Sequence, residues 1–257
     1  MRRLGTFYNR EDPMNKFFYI LALLAILAMP LDAVPFIDLE TGPVFTGKND
    51  ARIPGNYGSN LSFPGVLGNE PWFYVRAKAG WSIADRHTIY VLAAPLKVDY
   101  KGASSRYLYF RNRIFFPYAP MTATFKFNSF RLTYRYDIIN NDAIQFGIGI
   151  TGKIRDAFVR LNSMGQKTTR SDLGFVPLIN IRLQWMFVPG YSLLIDADWL
   201  VAPQGRAEDI LAAIQYHISD RILVKAGYRI LEGGAKNSRV YTFSLFHYAV
   251  FGTTVKF

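Results

Sequence analysis

Alternation of side-chain character constrains this chain more than any other feature. Successive residues of an extended strand point to opposite faces, so a period of two marks a sheet with one apolar and one polar side. The clearest case is Ile144–Arg155. Ile144, Phe146, Ile148, Ile150 and Ile154 share one face, and Gln145, Gly147, Gly149, Thr151, Lys153 and Arg155 share the other. The same grammar recurs over Trp72–Ile83, Phe130–Ile138, Ile179–Phe187, Leu193–Trp199, Ile210–Ile218 and Ile222–Ile230. Further strands are expected at Pro35–Thr46, Thr88–Val98 and Tyr241–Phe257.

The connections alternate in length. Asp85–Arg86, Asn140–Asp142, Pro189–Gly190 and Ser219–Asp220 read as tight turns. Gly47–Glu70, Lys101–Pro120 and Leu161–Asp172 read as long loops, with Ala202–Asp209 and Glu232–Arg239 as shorter members of that set. Aromatic residues gather near both ends of the apolar faces: Trp81, Tyr134, Tyr136, Trp185, Phe187, Tyr216 and Phe257 at the short turns, and Phe45, Phe73, Trp199, Tyr241 and Phe243 at the long loops. Short turns at one end, long loops at the other and two aromatic girdles are the layout of a transmembrane barrel. The expected fold is therefore all-β, an antiparallel up-and-down transmembrane β-barrel of about ten strands, with eight or twelve as alternatives. Pro95 and Pro177 interrupt strand patterns, and a closed barrel has no free edge to hold them, so bulges are expected there.

The N-terminus indicates the route. Phe17–Met29 reads FFYILALLAILAM, too short for a spanning helix, which needs roughly 20 apolar residues, and suited to the apolar region of a signal peptide. Lys16 supplies the positive flank, and cleavage is placed after Ala33. Residues 1–33 are thus expected to be a signal peptide and 34–257 the barrel domain. Met14 opens a conventional signal peptide by itself, so residues 1–13 read as lying upstream of the true start. An even strand count would leave both termini in the periplasm.

The terminal stretch YAVFGTTVKF, Tyr248–Phe257, alternates and ends in Phe257. It resembles the signal read by the outer-membrane barrel-assembly machinery. The phrases FKFNSFRLTYRYD (Phe125–Asp137), GFVPL (Gly174–Leu178) and YRILEGG (Tyr228–Gly234) resemble an uncharacterised family of small Gram-negative outer-membrane β-barrels. That resemblance implies the fold and a bacterial outer-membrane location, and it brings no substrate.

The polar faces carry charge. Asp38, Glu40, Asp137, Asp196 and Asp198 are expected to line the lumen, facing Arg76, Lys78, Arg131, Arg135, Lys153, Arg155, Arg182, Lys225, Arg229 and Lys256. Bases outnumber acids in this set, and the whole chain carries a formal charge of +11. An excess of that size suggests an anionic partner. Small barrels fill their interior with side chains, and buried charges must be paired, so a salt-bridged plug is one reading. A narrow conduit for small anionic solutes is the other. An enzyme acting on lipid A, phospholipid or peptide at the outer rim is the alternative class, with Asp196, Asp198 and Asp209 as an acidic constellation.

Several chemistries lack their residues. There is no cysteine, which excludes thiolate metal sites and cysteine nucleophiles. His87, His217 and His247 are too scattered for a ligand motif, so neither metal nor cofactor is expected. Gly147–Gly152 spells G-x-G-x-x-G, but a nucleotide loop needs a turn and a following helix, whereas here alternation runs straight through. Small glycines beside bulky lumen neighbours account for it better. The loop segment RYLYFRNRIFFPY interleaves Arg106, Arg111 and Arg113 with aromatics. Outside a cell, lipopolysaccharide phosphate suits those arginines better than nucleic acid; the alternative is a loop packed across the mouth. The expected partners are outer-membrane lipid, lipopolysaccharide and the assembly machinery.

Overall fold

The computed structural model describes residues 33–68, 70–202 and 205–257. The expected signal peptide, Met14 included, lies outside the described residues apart from Ala33. The strands are β1 (Ala33–Arg52), β2 (Leu61–Ser62), β3 (Trp72–Ile83), β4 (His87–Ala94), β5 (Lys97–Gly102), β6 (Leu108–Phe110), β7 (Arg113–Phe115), β8 (Met121–Asn140), β9 (Ile144–Ser163), β10 (Gln166–Val188), β11 (Tyr191–Ala202), β12 (Gly205–His217), β13 (Ile222–Lys236) and β14 (Tyr241–Lys256). One short helix, α1 (Phe63–Leu67), follows β2.

Each stave pairs antiparallel with its sequence neighbour, and β14 returns to β1 from Phe36↔Lys256 to Arg52↔Tyr241. The sheet closes on itself with β1, β3, β4 continued by β5, and β8 to β14 as its ten staves. Apolar side chains of the alternating segments point outward: Leu132, Ile150, Ile154, Trp185, Trp199, Ile214 and Tyr228 are all exposed. Closure satisfies the strand backbone internally, which hydrocarbon surroundings demand.

Two hairpins depart from the sequence reading. Leu161–Asp172 is no long loop. β9 and β10 pair continuously from Trp185↔Ile144 to Gln166↔Ser163 and turn through Met164 and Gly165 alone. Both have positive φ, 47° and 79°, the conformation a two-residue hairpin with the native twist requires. Likewise β12 starts at Gly205 and β13 runs to Lys236, which converts most of the expected loops Ala202–Asp209 and Glu232–Arg239 into strand.

Neither proline carries the expected bulge. On both sides of Pro95 the register is the same, Ala94 opposite Ser129 and Lys97 opposite Lys126. The Asn128 side chain accepts the Leu96 N–H at 3.2 Å, so a side-chain oxygen takes the place of a ladder acceptor. Pro177 stays in register opposite Gly152. It sits just beyond Ile179↔Trp199, the last β10–β11 pair, where β10 becomes an edge and a missing N–H costs no ladder bond on that side. Register shifts occur instead at Thr46/Lys48, Asp137/Ile139 and Met186/Val188.

The interior has two zones. Toward the short turns it is charged. Toward the long loops it is apolar, because parts of Gly47–Glu70 and Lys101–Pro120 fold inward rather than standing in water. Phe63, Leu61 and Leu67 from β2 and α1, and Leu108, Phe110 and Phe115 from the β6–β7 hairpin, are fully buried against Val98, Tyr100, Phe125 and Phe246. Phe63 stacks on Tyr100 with ring centroids 5.4 Å apart. Backbone bonds tie the two loops together: Ser59 N–H donates to Tyr109 O at 2.8 Å and Arg111 N–H to Ile53 O at 2.6 Å.

Candidate functional site: the charged interior

Inward-facing positions of β1, β3, β8, β11, β12 and β13 meet at one level of the barrel. At the centre is Asp209, 3% exposed. Its Oδ2 accepts from Arg131 Nη2 at 2.5 Å and from Arg76 Nη2 at 3.0 Å, and its Oδ1 accepts from Arg229 Nη1 at 2.5 Å. Arg131 also donates to Asp198 at 2.5 Å. Arg229 reaches Glu40 at 2.8 Å, and Lys225 binds both Glu40 and Asp38 at 2.8 Å. Lys78 binds Asp196 at 2.8 Å. Asn180 Nδ2 donates to Asp198 at 3.0 Å, and Thr151 Oγ1 donates to the same carboxylate at 3.0 Å.

The network joins Asp38, Glu40, Asp196, Asp198 and Asp209 to Arg76, Lys78, Arg131, Lys225 and Arg229, one acid for each base. Asp209 makes the balance. The surplus of bases expected across the lumen lies outside this network, at Lys153, Arg155, Arg182 and Lys256, while Arg135 pairs with Asp137. The space left among these groups is about 10 Å³, at or below what one water molecule needs. Ionic contacts occupy the barrel at this level, and the apolar packing of α1 and β6–β7 occupies it toward the long loops.

The remaining lumen candidates stand apart from this layer. Arg135 pairs with Asp137 at 2.9 Å and donates to Thr88 Oγ1 at 3.1 Å. Gly147 lies opposite Asp137, and a Cβ there would come within 2.1 Å of Asp137 Oδ1, so this part of the G-x-G-x-x-G phrase is room for an ion pair. Arg182 donates to Gln184 Oε1 at 2.6 Å. With Arg135 and Lys256 it lines a vestibule of about 470 Å³ at the short-turn end. Lys153, the cross-strand neighbour of Arg131, borders the layer on its long-loop side, and Arg155 lies further along β9, where it pairs with Asp172.

The three loop arginines do not converge. Arg106 Nη2 donates to Asn60 O at 2.9 Å, the Arg111 guanidinium is bonded to Thr169 O, and Arg113 is exposed on β7. Arg106 pins the two long loops together, and Arg111 ties the β6–β7 hairpin to β10. Asp196, Asp198 and Asp209, the acidic constellation set beside an enzyme reading, are each held by a cation inside the barrel. A hydroxyl–imidazole pair, Ser192 Oγ to His217 Nε2 at 3.0 Å, lies near the short turn at Gly190, and Ser192 is fully buried. Among the described residues no group of three His, Asp or Glu side chains is arranged to hold a metal ion.

No family model matches the chain, and no curated relative does. Solved structures do. The outer membrane protease OmpT of Escherichia coli is similar over 87% of this chain and 97% of that one, at 10% identity and a TM-score of 0.53. The attachment invasion locus protein Ail of Yersinia pestis matches over 87% of this chain and 99% of its own, at 11% identity and a TM-score of 0.39. Neisserial surface protein A matches over 87% and 97%, at 14% identity and a TM-score of 0.36. Identities this low speak to architecture alone. The chain has the fold of the small outer-membrane β-barrels of Gram-negative bacteria.

Proposed function

We propose that this protein is a closed, non-conducting barrel of the bacterial outer membrane, with a structural or binding role rather than that of a conduit. The observation that carries this reading is the Asp209 layer, in which three guanidiniums meet one carboxylate and leave no space for a file of water. The apolar packing of Phe63, Phe110 and Phe115 at the long-loop end supports it independently. The balance of acids and bases within the layer also leaves no net charge there to select an anion. In planar bilayers the refolded mature protein is expected to give no conductance steps under anion or cation gradients. Steady steps that shrink on Arg131→Ala would overturn the closed reading and restore the conduit.

The outward apolar band, with Trp185, Phe187 and Tyr216 near the short turns, fits a lipid-embedded belt. On this reading both termini face the periplasm and the long loops face outward, toward lipopolysaccharide. Phe257 closes β14, its N–H donating to Pro35 O at 2.9 Å while its side chain stays exposed. An exposed terminal aromatic suits recognition by the assembly machinery. Phe257→Ala is expected to lower the amount of folded, heat-modifiable barrel in outer membranes several-fold. Refolding into detergent is expected to be unchanged. Equal loss in both assays would make Phe257 a stability residue and not a recognition signal.

A further inference from the structure

The barrel wall is uneven. β10 continues from Leu178 back to Gln166, yet on its β11 side the ladder starts only at Ile179↔Trp199. β11 itself runs on with β12, pairing Leu200↔Ala207 and Ala202↔Gly205. Among the described residues, then, 166–178 of β10 are paired on the β9 side alone. This leaves a notch in the wall between the tall β8–β9–β10 sheet and β12–β14. Leu173 and Phe175, 75% and 71% exposed, stand on the outer face beside it.

Behind the notch is a cavity of about 180 Å³. Its charged lining is Lys153, Arg155, Arg170 and Arg206 against a single acid, Asp172, which is already committed to Arg155. Arg206 pairs at the rim with Glu232. Lys153 is only 2% exposed, and among the described residues it has neither an ion pair nor a hydrogen bond; its Nζ lies 4.8 Å from the centre of the Phe127 ring. Arg170 also lacks a partner, and Arg155 Nε is buried without an acceptor. Elsewhere in this interior each buried cation has a carboxylate or a side-chain oxygen within bonding distance, as a buried charge needs. Here, among the described residues, no carboxylate lies within bonding distance of Lys153 or Arg170, and Asp198 and Asp209 act on Lys153 only at longer range. The rest of the lining is mostly apolar, including Phe125, Val176 and Val240, with Asn237, Thr242 and Ser244 as its neutral polar side chains.

The geometry points to a binding site for an anionic amphiphile, a carboxylate or phosphate head on an acyl body. Lys153 and Arg170 receive the head in the cavity. The cavity is smaller than the ~300–1,000 Å³ that engulfs a drug-sized ligand. The acyl body therefore leaves sideways through the notch, along Leu173 and Phe175, on the face that meets lipid. A cation desolvated beside an aromatic ring binds an oxyanion strongly because little water has to be displaced.

The test is calorimetric titration of the refolded barrel, held in a zwitterionic detergent, with dodecanoate, dodecyl phosphate and dodecanol. Saturable one-to-one binding of a charged probe is expected, with dodecanol at least tenfold weaker. Lys153→Met and Arg170→Gln should each weaken the charged probe at least tenfold. Arg170 is only half-buried and unpaired, so its variant tests the site without threatening the fold, and heat-modifiable migration checks both. Tighter dodecanoate assigns a fatty-acid source, and tighter dodecyl phosphate a phosphorylated lipid. Failure of both charged probes to saturate, equal binding of dodecanol, or full affinity in the folded Arg170→Gln barrel would each overturn the site. Conductance plays no part in this readout, so the closed-barrel reading stands or falls separately.

Discussion

Asp209→Ala is expected to destabilise the barrel by about 3–5 kcal/mol, the cost of leaving buried charge without its partner. The loss is large because one carboxylate serves Arg76, Arg131 and Arg229 together. Without it, three guanidiniums face one another in space that admits almost no water. Arg131 would keep Asp198, and Arg229 would keep Glu40, so the barrel should still form at low denaturant. The informative control is Lys97→Ala, which removes an exposed pair with Asp99 at 3.7 Å and should cost under about 1 kcal/mol. Denaturant midpoints of the two variants in the same lipid vesicles measure the difference. Equal midpoints would mean that the interior is wet enough to screen its charges, and the closed reading would fail with it.

Ile150→Arg is expected to cost about 2–4 kcal/mol, the range for a cation placed on the lipid face near the bilayer midplane. Ile150 is 70% exposed and lies on β9 between Tyr134 of β8 and Ile179 of β10, in the middle of the outward apolar band. In a water-soluble barrel the same substitution would be close to neutral or would improve solubility. Folding yield into vesicles, followed by the denaturant midpoint of the folded fraction, reads the effect. Ile150→Leu should behave as the parent. A neutral outcome for the arginine variant would remove this face from the hydrocarbon.

These two sites also mark where the sequence was and was not legible. The outward face of β9 could be read directly, because lipid tolerates no polar residue at Ile144, Phe146, Ile148 or Ile150 and the period of two stays clean. Above the lipid that pressure stops. Lys167, Thr168, Thr169, Arg170, Ser171 and Asp172 are free to be polar on both faces, so the outer half of the β9–β10 hairpin lost its alternation and looked like a loop. Met164–Gly165 added to the effect, since it is a less familiar two-residue turn than Asn-Gly.

Asp209, named in the acidic constellation, stays out of the expected lumen-lining set for a related reason. Arg206, Glu208 and Asp209 together have the composition of a connection. Yet Asp209 shares parity with Leu211, Ala213 and Gln215, and carrying the alternation of β12 two residues further back would have put it inside. Its partners could not be found that way. Arg76 lies 133 positions away in sequence and Arg131 lies 78, so their meeting is set by closure of the sheet. The buried rings of Phe110 and Phe115 were visible as aromatics, but nothing local distinguishes an aromatic loop in water from one folded across a barrel mouth.

That long-range pairing has a consequence for assembly. Lys225 binds Asp38 and Glu40, and Arg229 binds Glu40, across separations of 185 to 189 residues, linking the first strand to the penultimate one. None of these contacts can exist before β14 has met β1. A slip of one residue at that seam would turn every side chain of the late strands to the opposite face, presenting Lys225 and Arg229 to lipid and Ala226 and Tyr228 to the ionic layer. A misregistered cylinder would thus carry the cost of cations turned toward lipid at the step where an error would otherwise be sealed in.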